Sequence, residues 1–474
     1  MTNTYLVAVI KAFRPKEREE LGLFLQGPYE NRGGNSQELL RLYQIILAAA
    51  PEFSEDSLKK EDVYEQLFPN QIVVAGKLEK LMADLNKIVR KFALAQNYFA
   101  ESNEKRLQVD WATWLREHGM KDRSLHTLSK LKTQNNLEKV TSLEKYYFDL
   151  LIAEEEHRWE STYNQVKGGL NIPALIHQID LYYHNYRIER INRYLLQKKG
   201  AQLPDIDFGN ISLDSYLKES ILLQISYKVF EIFSKDLPSI QDTQGLIEFL
   251  KIHEKSLSYE KLDDIYSYIR SSCTMLINAG NLNFVPILHQ IHIDNLARGF
   301  LFYNGEIPSN TYLNLVQIAT RAKEHAWAIK FTEDYKGMIV GGDEDQFYYQ
   351  LNKAQYLFAV KQFDDALDYL PDAPSSTHYH HIIRRLELKI YYEMGSDLLE
   401  YKIDAFRKFI ERTAPKSLAA NIRTMHLNFL YFLVQLNLSL PKDKIRSARL
   451  IERIEEKKLV AERAWLLEKA KELG

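Results

Sequence analysis

Cysteine is all but missing: Cys273 stands alone in 474 residues, which excludes an intramolecular disulfide framework and a thiolate-only metal cluster. Glycine (19) and proline (13) are also scarce. Together they make about 7% of the chain, against an average near 12%. So few breakers leave room for long helices and little for glycine-rich phosphate loops. No window reaches the ~18 consecutive apolar residues of a spanning helix. The most apolar run, Leu427–Leu440, is interrupted by Asn428, Gln435, Asn437 and Ser439. An excess of one charge is lacking too, since 62 Lys+Arg face 64 Asp+Glu for a net charge of -2. That balance argues against a surface built to neutralise nucleic acid or an anionic membrane. G-x-S-x-G, G-x-x-x-x-G-K-[ST], G-x-G-x-x-G and H-E-x-x-H do not occur. The N-terminus has no basic residue ahead of the short apolar run Tyr5–Ile10 and so lacks a secretory leader's pattern. These absences point to a soluble, reduced, cytoplasmic protein that is not an enzyme and needs no cofactor or metal.

What the chain does have is helical periodicity, with a hydrophobic fraction of 45% to bury. The first hundred residues predict helices at Pro15–Gln26, Ser36–Ala50, Lys60–Leu67 and Lys77–Ala100. Turns are expected at Gly27-Pro28, Gly33-Gly34, Pro51 and Pro69. The best strand candidate, Gln71–Ala75, is short. Beyond residue 104, helices alternate with breaks at Gly119, Asn135-Asn136, Gly168-Gly169, Gly200–Pro204, Pro238, Gly280, Gly305–Pro308, Gly341-Gly342, Pro371–Pro374, Gly395, Pro415 and Pro441. Alternate breaks lie roughly 35 residues apart, the period of a helix–turn–helix repeat stacked into a solenoid. The expected fold is all-α: a helical N-terminal domain over 1–101, an α-solenoid of stacked helix pairs over 102–441 and a C-terminal capping helix over 442–474.

One window sharpens that reading. In Tyr349–Pro374, Ala354 occupies a position where two helices must approach closely, followed by Leu357, Phe363, Ala366 and Ala373. With its segment "KQFDDALDYL" this window resembles a tetratricopeptide repeat. It departs from that pattern at Gln350, where an aromatic is usual, and at Lys353, where Leu is usual. A looser copy, "KEHAWAIKF", places Ala328 at the small position of its second helix. The N-terminal "FRPKEREELGLFLQGPYENR" resembles the start of an uncharacterised family of large helical bacterial proteins. "KKEDVYEQLFPNQ" followed by "KLEKLMADLNKIVRKF" is similar in pattern to the helix–turn–helix core of winged-helix regulators. That likeness implies DNA contact through Lys77, Lys80, Lys87, Arg90 and Lys91, although Phe92–Arg106 reads on as helix where a wing belongs. Residues 1–101 hold 13 basic and 14 acidic residues, without the basic excess of a DNA-binding domain.

Several constellations are weighed against plainer roles. Cys273, in "RSSCTMLI", reads as packing. Glu154 and His157 share a helix face, but of 13 histidines only His157 has a Glu three residues before it, and a carboxylate-bridged di-metal bundle needs two such pairs. His289, His292 and Asp294, and likewise His378, His380 and His381, offer too few ligands for zinc. His184 shares the face of Leu181, Ile188, Ile191 and Leu195 and reads as core. On that same helix, Pro173–Lys199, Tyr183, Arg187, Arg190 and Tyr194 form a stripe away from the buried face. Arg offers planar bidentate donors and Tyr stiff amphipathic area, a pairing typical of binding hot spots. Of the adjacent tyrosines at 146-147, 182-183, 348-349 and 391-392, one of each pair can pack and the other point toward a groove, but packing alone is the favoured reading. Lys442–Leu473 reads as the capping helix, or as a dimerising coiled coil whose apolar seam lapses at Glu456–Lys458. Leu427–Leu436 is apolar all round and must be enclosed. The expected function is a scaffold or adaptor that binds another protein or peptide on the solenoid surface. The alternative is a transcriptional regulator with a DNA-binding N-terminal domain.

Overall fold

Three quarters (75%) of the molecule is helical, as the scarcity of breakers implies. The computed structural model describes every residue except 28–33, 164–170, 201–202, 210–213, 341–344, 373–376, 415–417, 419 and 441. The expected breaks at Pro28, Gly33, Gly168-Gly169, Gly341-Gly342, Pro374, Pro415 and Pro441 lie outside the described residues, as do Ala373 and the side chain of His378. In order come α1 (Tyr5–Ala12), α2 (Pro15–Gln26), α3 (Ser36–Ala48), α4 (Lys60–Leu67), α5 (Lys77–Tyr98), α6 (Glu104–Glu117), α7 (Lys121–Leu137) and α8 (Leu143–Tyr163). Next are α9 (Ile172–Gly200), α10 (Asp214–Leu217), α11 (Ile221–Phe233), α12 (Ile240–His253), α13 (Tyr259–Asn278), α14 (Phe284–Arg298), α15 (Ser309–Arg321) and α16 (His325–Asp334). The last are α17 (Asp345–Ala359), α18 (Phe363–Asp368), α19 (Thr377–Glu393), α20 (Leu399–Arg412), α21 (Ala420–Asn437), α22 (Lys444–Glu456) and α23 (Arg463–Glu472). Among the described residues the regular strands are two short ones, β1 (Ile307–Pro308) and β2 (Ile339–Val340), paired in parallel.

Packing divides the chain into two compact units: 1–138 with 144–179, and 139–143 with 180–474. In the first, α1 to α5 close around Ile10, Leu21, Leu42, Ile46, Leu85 and Val89, all fully buried. A smaller core of Val109, Leu131, Phe148 and Ile152 joins α6, α7 and α8. The extended run Gln71–Ala75 forms no strand. Ile72 is 90% exposed, and the segment is tethered by the Tyr64 hydroxyl, which donates to the Ile72 carbonyl at 3.2 Å and accepts the Val74 N–H at 3.0 Å. The single helix expected through Phe92–Arg106 breaks after Tyr98. There the Asn103 amide donates to the Asn97 carbonyl at 2.6 Å, satisfying a C-terminal acceptor, and a 3-10 turn, Glu101–Asn103, precedes α6.

In the second unit, side-chain caps set helix starts as chemistry dictates. Ser220, Ser239, Ser258 and Asp443 each accept a first-turn N–H, at 3.0, 3.0, 3.3 and 2.9 Å. Gly280 and Gly395 end helices at φ +103° and +62°, where a side chain would be strained. From α15 to α18, helix pairs stack: α15 against α16 and α17, and α17 against α18. Close approach falls on alanines, with Ala328, Ala354 and Ala366 wholly buried. Leu357 is buried as well, and Phe363 is half-buried. The apolar helix α21 is enclosed by neighbours of its own unit, with Phe429, Leu430, Phe432, Leu433 and Leu436 all buried beside residues of α20, α22 and α23.

The single terminal helix expected over Lys442–Leu473 is instead two helices, α22 and α23. The lapse in the apolar seam is their turn. Arg463 holds it by donating to the carbonyls of Ile454, Glu455 and Lys458 at 2.9, 2.9 and 3.1 Å, which caps the end of α22. Ile445 is 70% exposed, and Ser447, Leu450 and Ile454 carry the buried face.

Candidate functional site

The Tyr/Arg stripe begins with the helix that carries it. α9 buries Leu181, Ile188 and Ile191 as its period requires, leaving Leu195 and His184 half-buried. Tyr216 packs against His184 at 5.0 Å, and burial holds its imidazole pKa below the usual value. The structure places all four stripe residues on the outer flank, in two different states. Arg187 donates to the Phe208 carbonyl and the Tyr194 hydroxyl to the Pro204 carbonyl, while the Tyr194 ring meets Phe208 edge-on at 5.6 Å. The protein's own extended segment 203–209 thus occupies that half of the stripe. Tyr183 is 50% exposed. Arg190 is exposed as well; it lies 5.0 Å over the Tyr186 ring and 3.4 Å from Glu189.

A second feature gathers more charge. Beside α19 and α20 an open groove of about 570 Å³ is lined by Arg384, Tyr401, Asp404, Ala405, Lys408, Phe409, Arg412 and Thr413. Spacing accounts for its α20 wall. Leu399, Ile403, Phe406 and Ile410 turn inward to the core, so residues 401, 404, 405, 408 and 412 line the other side. Asp404 pairs with Arg407 at 3.0 Å and Arg384 with Glu387 at 3.0 Å. Lys408 and Arg412 leave the lining rich in positive charge, and Tyr401 is 70% exposed.

Sequence reasoning missed a third feature. On α6 the residues Val109, Ala112 and Leu115 are buried, which pushes Trp111 and Trp114 off the core face. Their indoles stack at 5.0 Å and 9°, and His118 stacks on Trp114 at 3.9 Å and 19°. Trp111 is 50% and Trp114 42% exposed. The signal was present as W-x-x-W-x-x-x-H at helical spacing in "DWATWLREH", displaced from the apolar stripe of the same helix.

The remaining candidates lie apart. On α5, Lys80, Lys87, Arg90 and Lys91 are exposed, but Lys87 pairs with Asp84 at 2.8 Å. Lys77 sits 3.5 Å over the Phe68 ring and donates to Gln71 at 3.1 Å. No strand lies between α5 and α6, so the described residues there form no wing. Glu154 pairs with Arg158 at 3.0 Å, and its neighbour Glu155 is buried against Arg116 at 2.5 Å. His289 and His292 are buried, whereas Asp294 turns outward to Gln290. Burial, then Arg270 and His289, bring the His292 imidazole down to about 3. His381 stacks on His426 at 4.6 Å and His380 on Phe409 at 5.3 Å. No group of three or more His, Cys, Asp or Glu among the described residues could hold a metal. Cys273 is fully buried, and its thiol is pushed up to about 12 by that burial. No helix among the described residues is long and apolar enough to cross a membrane.

The most deeply committed charges surround Glu462. Lys389 approaches its carboxylate at 2.8 Å and Arg385 at 3.3 Å. Burial alone would raise that carboxyl, but Lys389, Arg385 and Arg321 outweigh it and hold the pKa well below the usual carboxylate range. This cluster ties α19 to the turn before α23, a structural task. Comparison with family models, with curated proteins and with solved structures finds no match for this chain.

Proposed function

We propose that the protein is a non-enzymatic scaffold whose second unit, a tetratricopeptide-like array of helix pairs, captures an acidic segment of another protein. The observation that carries this reading is the α20 groove. It is open, floored by the exposed Tyr401 and by Phe409, and lined by Arg384, Lys408 and Arg412 against the single acid Asp404. Aromatic area and cations such as Lys408 and Arg412 are what peptide recognition needs: the rings supply burial at low entropic cost, and the cations set register and encounter rate. Stacked helices with alanines at the close contacts, Ala328, Ala354 and Ala366, support the repeat assignment. The stripe on α9 contributes Tyr183 and Arg190 as an accessory surface, because segment 203–209 already engages Arg187 and Tyr194.

The test is affinity capture through a C-terminal tag, with and without nuclease, for the natural chain and a K408E/R412E variant. A partner retained after nuclease and lost on charge reversal supports the reading. A partner indifferent to charge reversal removes the groove from the proposal. Recovery of DNA that disappears with nuclease favours the regulator, with contact through α5.

A further inference from the structure

We propose that the outer face of α6 is a docking site for a basic peptide segment whose guanidinium or ammonium groups lie over the Trp111–Trp114–His118 stack. Two independent observations meet on this face. The first is the aromatic ladder. Three nearly parallel, stacked rings at i, i+3 and i+7 remain outside any core, with both indoles about half exposed. The other three tryptophans, Trp159, Trp327 and Trp465, are half-buried or buried, which sets this contiguous exposed pair apart as an interaction surface. Trp114 lies between Trp111 and His118, so Trp111 forms the open end. Helical side chains lean toward the N-terminus, which sets Trp111 over the turn of Leu107 and Gln108, with Glu104 one turn further.

Charge is the second observation. The three basic residues of 104–117 are all held in ion pairs. Lys105 pairs with Glu138 at 2.5 Å, Arg106 with Asp110 at 3.2 Å and the Tyr147 hydroxyl at 3.2 Å, and Arg116 with buried Glu155 at 2.5 Å. Glu104 and Glu117 stay exposed beside the ladder. Glu104 accepts from the neutral Gln108 amide at 2.6 Å, while Glu117 lies 3.5 Å from Arg116, whose closer partner is Glu155. An aromatic face flanked by exposed carboxylates repels phosphate and attracts cations, because the negative π face and the acids act in the same sense. A nucleic acid strand, which also stacks on aromatics, would need the opposite flank.

This site is separate from the α20 groove, and K408E/R412E leaves it untouched. The probe is a labelled Arg-Gly repeat peptide titrated into the full chain at low salt, followed by anisotropy and by tryptophan emission. A Glu-Gly repeat and an oligo-thymidine serve as alternatives. Binding is expected for the Arg-Gly peptide alone. It should weaken about tenfold in W111A/W114A and about threefold in E104Q/E117Q, which keeps every ring in place. The proposal is overturned if the Arg-Gly peptide does not bind, if it binds both variants as well as the natural chain, or if the Glu-Gly peptide or the oligonucleotide binds better.

Discussion

Two helices of this protein carry aromatic and charged side chains in an outward row, and their fates differ. On α9 the row Tyr183, Arg187, Arg190, Tyr194 is half consumed by the chain itself, through the carbonyls of Phe208 and Pro204. On α6 the row Trp111, Trp114, His118 stacks on itself and stays open, with its neighbouring cations drawn off to other elements. Residue types at helical spacing therefore mark a face as outward without saying whether it is vacant. The difference lies in what packs over it. On α9 the segment 203–209 offers carbonyls, and Arg187 and Tyr194 supply donors to two of them.

The comparison breaks most sharply where a polar group belongs wholly to the fold. Glu462→Gln leaves Arg385 and Lys389 without their counter-charge and should cost about 3–5 kcal/mol in chemical denaturation. A loss below about 1 kcal/mol would mean that the cluster is not structural. The Glu462 pKa is lower in the folded than in the unfolded chain. Its stabilisation is therefore present above the ordinary carboxylate pKa and fades as pH falls toward the folded value. His292 acts in a higher window. Its folded pKa of about 3 lies below the unfolded ~6.5, so the unfolded chain binds the extra proton and stability is lost as pH falls between those values. His292→Gln should flatten a stability profile between about pH 6 and pH 4, and an unchanged slope would assign that slope to other groups.

Within α9 the two arginines should separate. Arg187→Ala loses a charged donor to the Phe208 carbonyl and should cost about 1.5 kcal/mol, while Arg190→Ala should stay within about 0.5 kcal/mol. Equal, negligible effects from thermal melts would show that segment 203–209 adds nothing and that the whole stripe is vacant. A small stability effect is also expected on α6. Trp111→Ala removes a half-exposed ring from a two-sided stack, worth about 1 kcal/mol at most. A melt lowered by several times that amount would place the ladder in the core and remove the docking face.

Much of the fold was legible. The starts of α2, α4 and α5 fall on Pro15, Lys60 and Lys77, because proline at the first turn and the hydrophobic period act locally. The buried stripe of α9 and the enclosure of α21 follow from the same period. Each adjacent tyrosine pair puts one ring deeper than its neighbour, as Tyr146 and Tyr348 show. What failed was decided at a distance or by a single side chain. Arg463 reaches back to the last carbonyls of α22 and turns one expected helix into two. Asn103 closes α5 through the Asn97 carbonyl. The α6 ladder was readable in principle, since Val109, Ala112 and Leu115 already define a core face that excludes both tryptophans.

Composition and period determined that this chain is helical, because few breakers and a repeating apolar stripe leave the backbone one economical way to satisfy its own hydrogen bonds. They also determined which faces of α9 and α21 would be inside. Tertiary structure alone decided which outward rows stay open, which cations are spent on ion pairs such as Arg116–Glu155, and where a groove gathers Lys408 and Arg412 beside Tyr401. The physical reason is range. Helix formation and amphipathicity are settled within a few turns, whereas the vacancy of a surface depends on residues far along the chain that come to cover it or leave it bare.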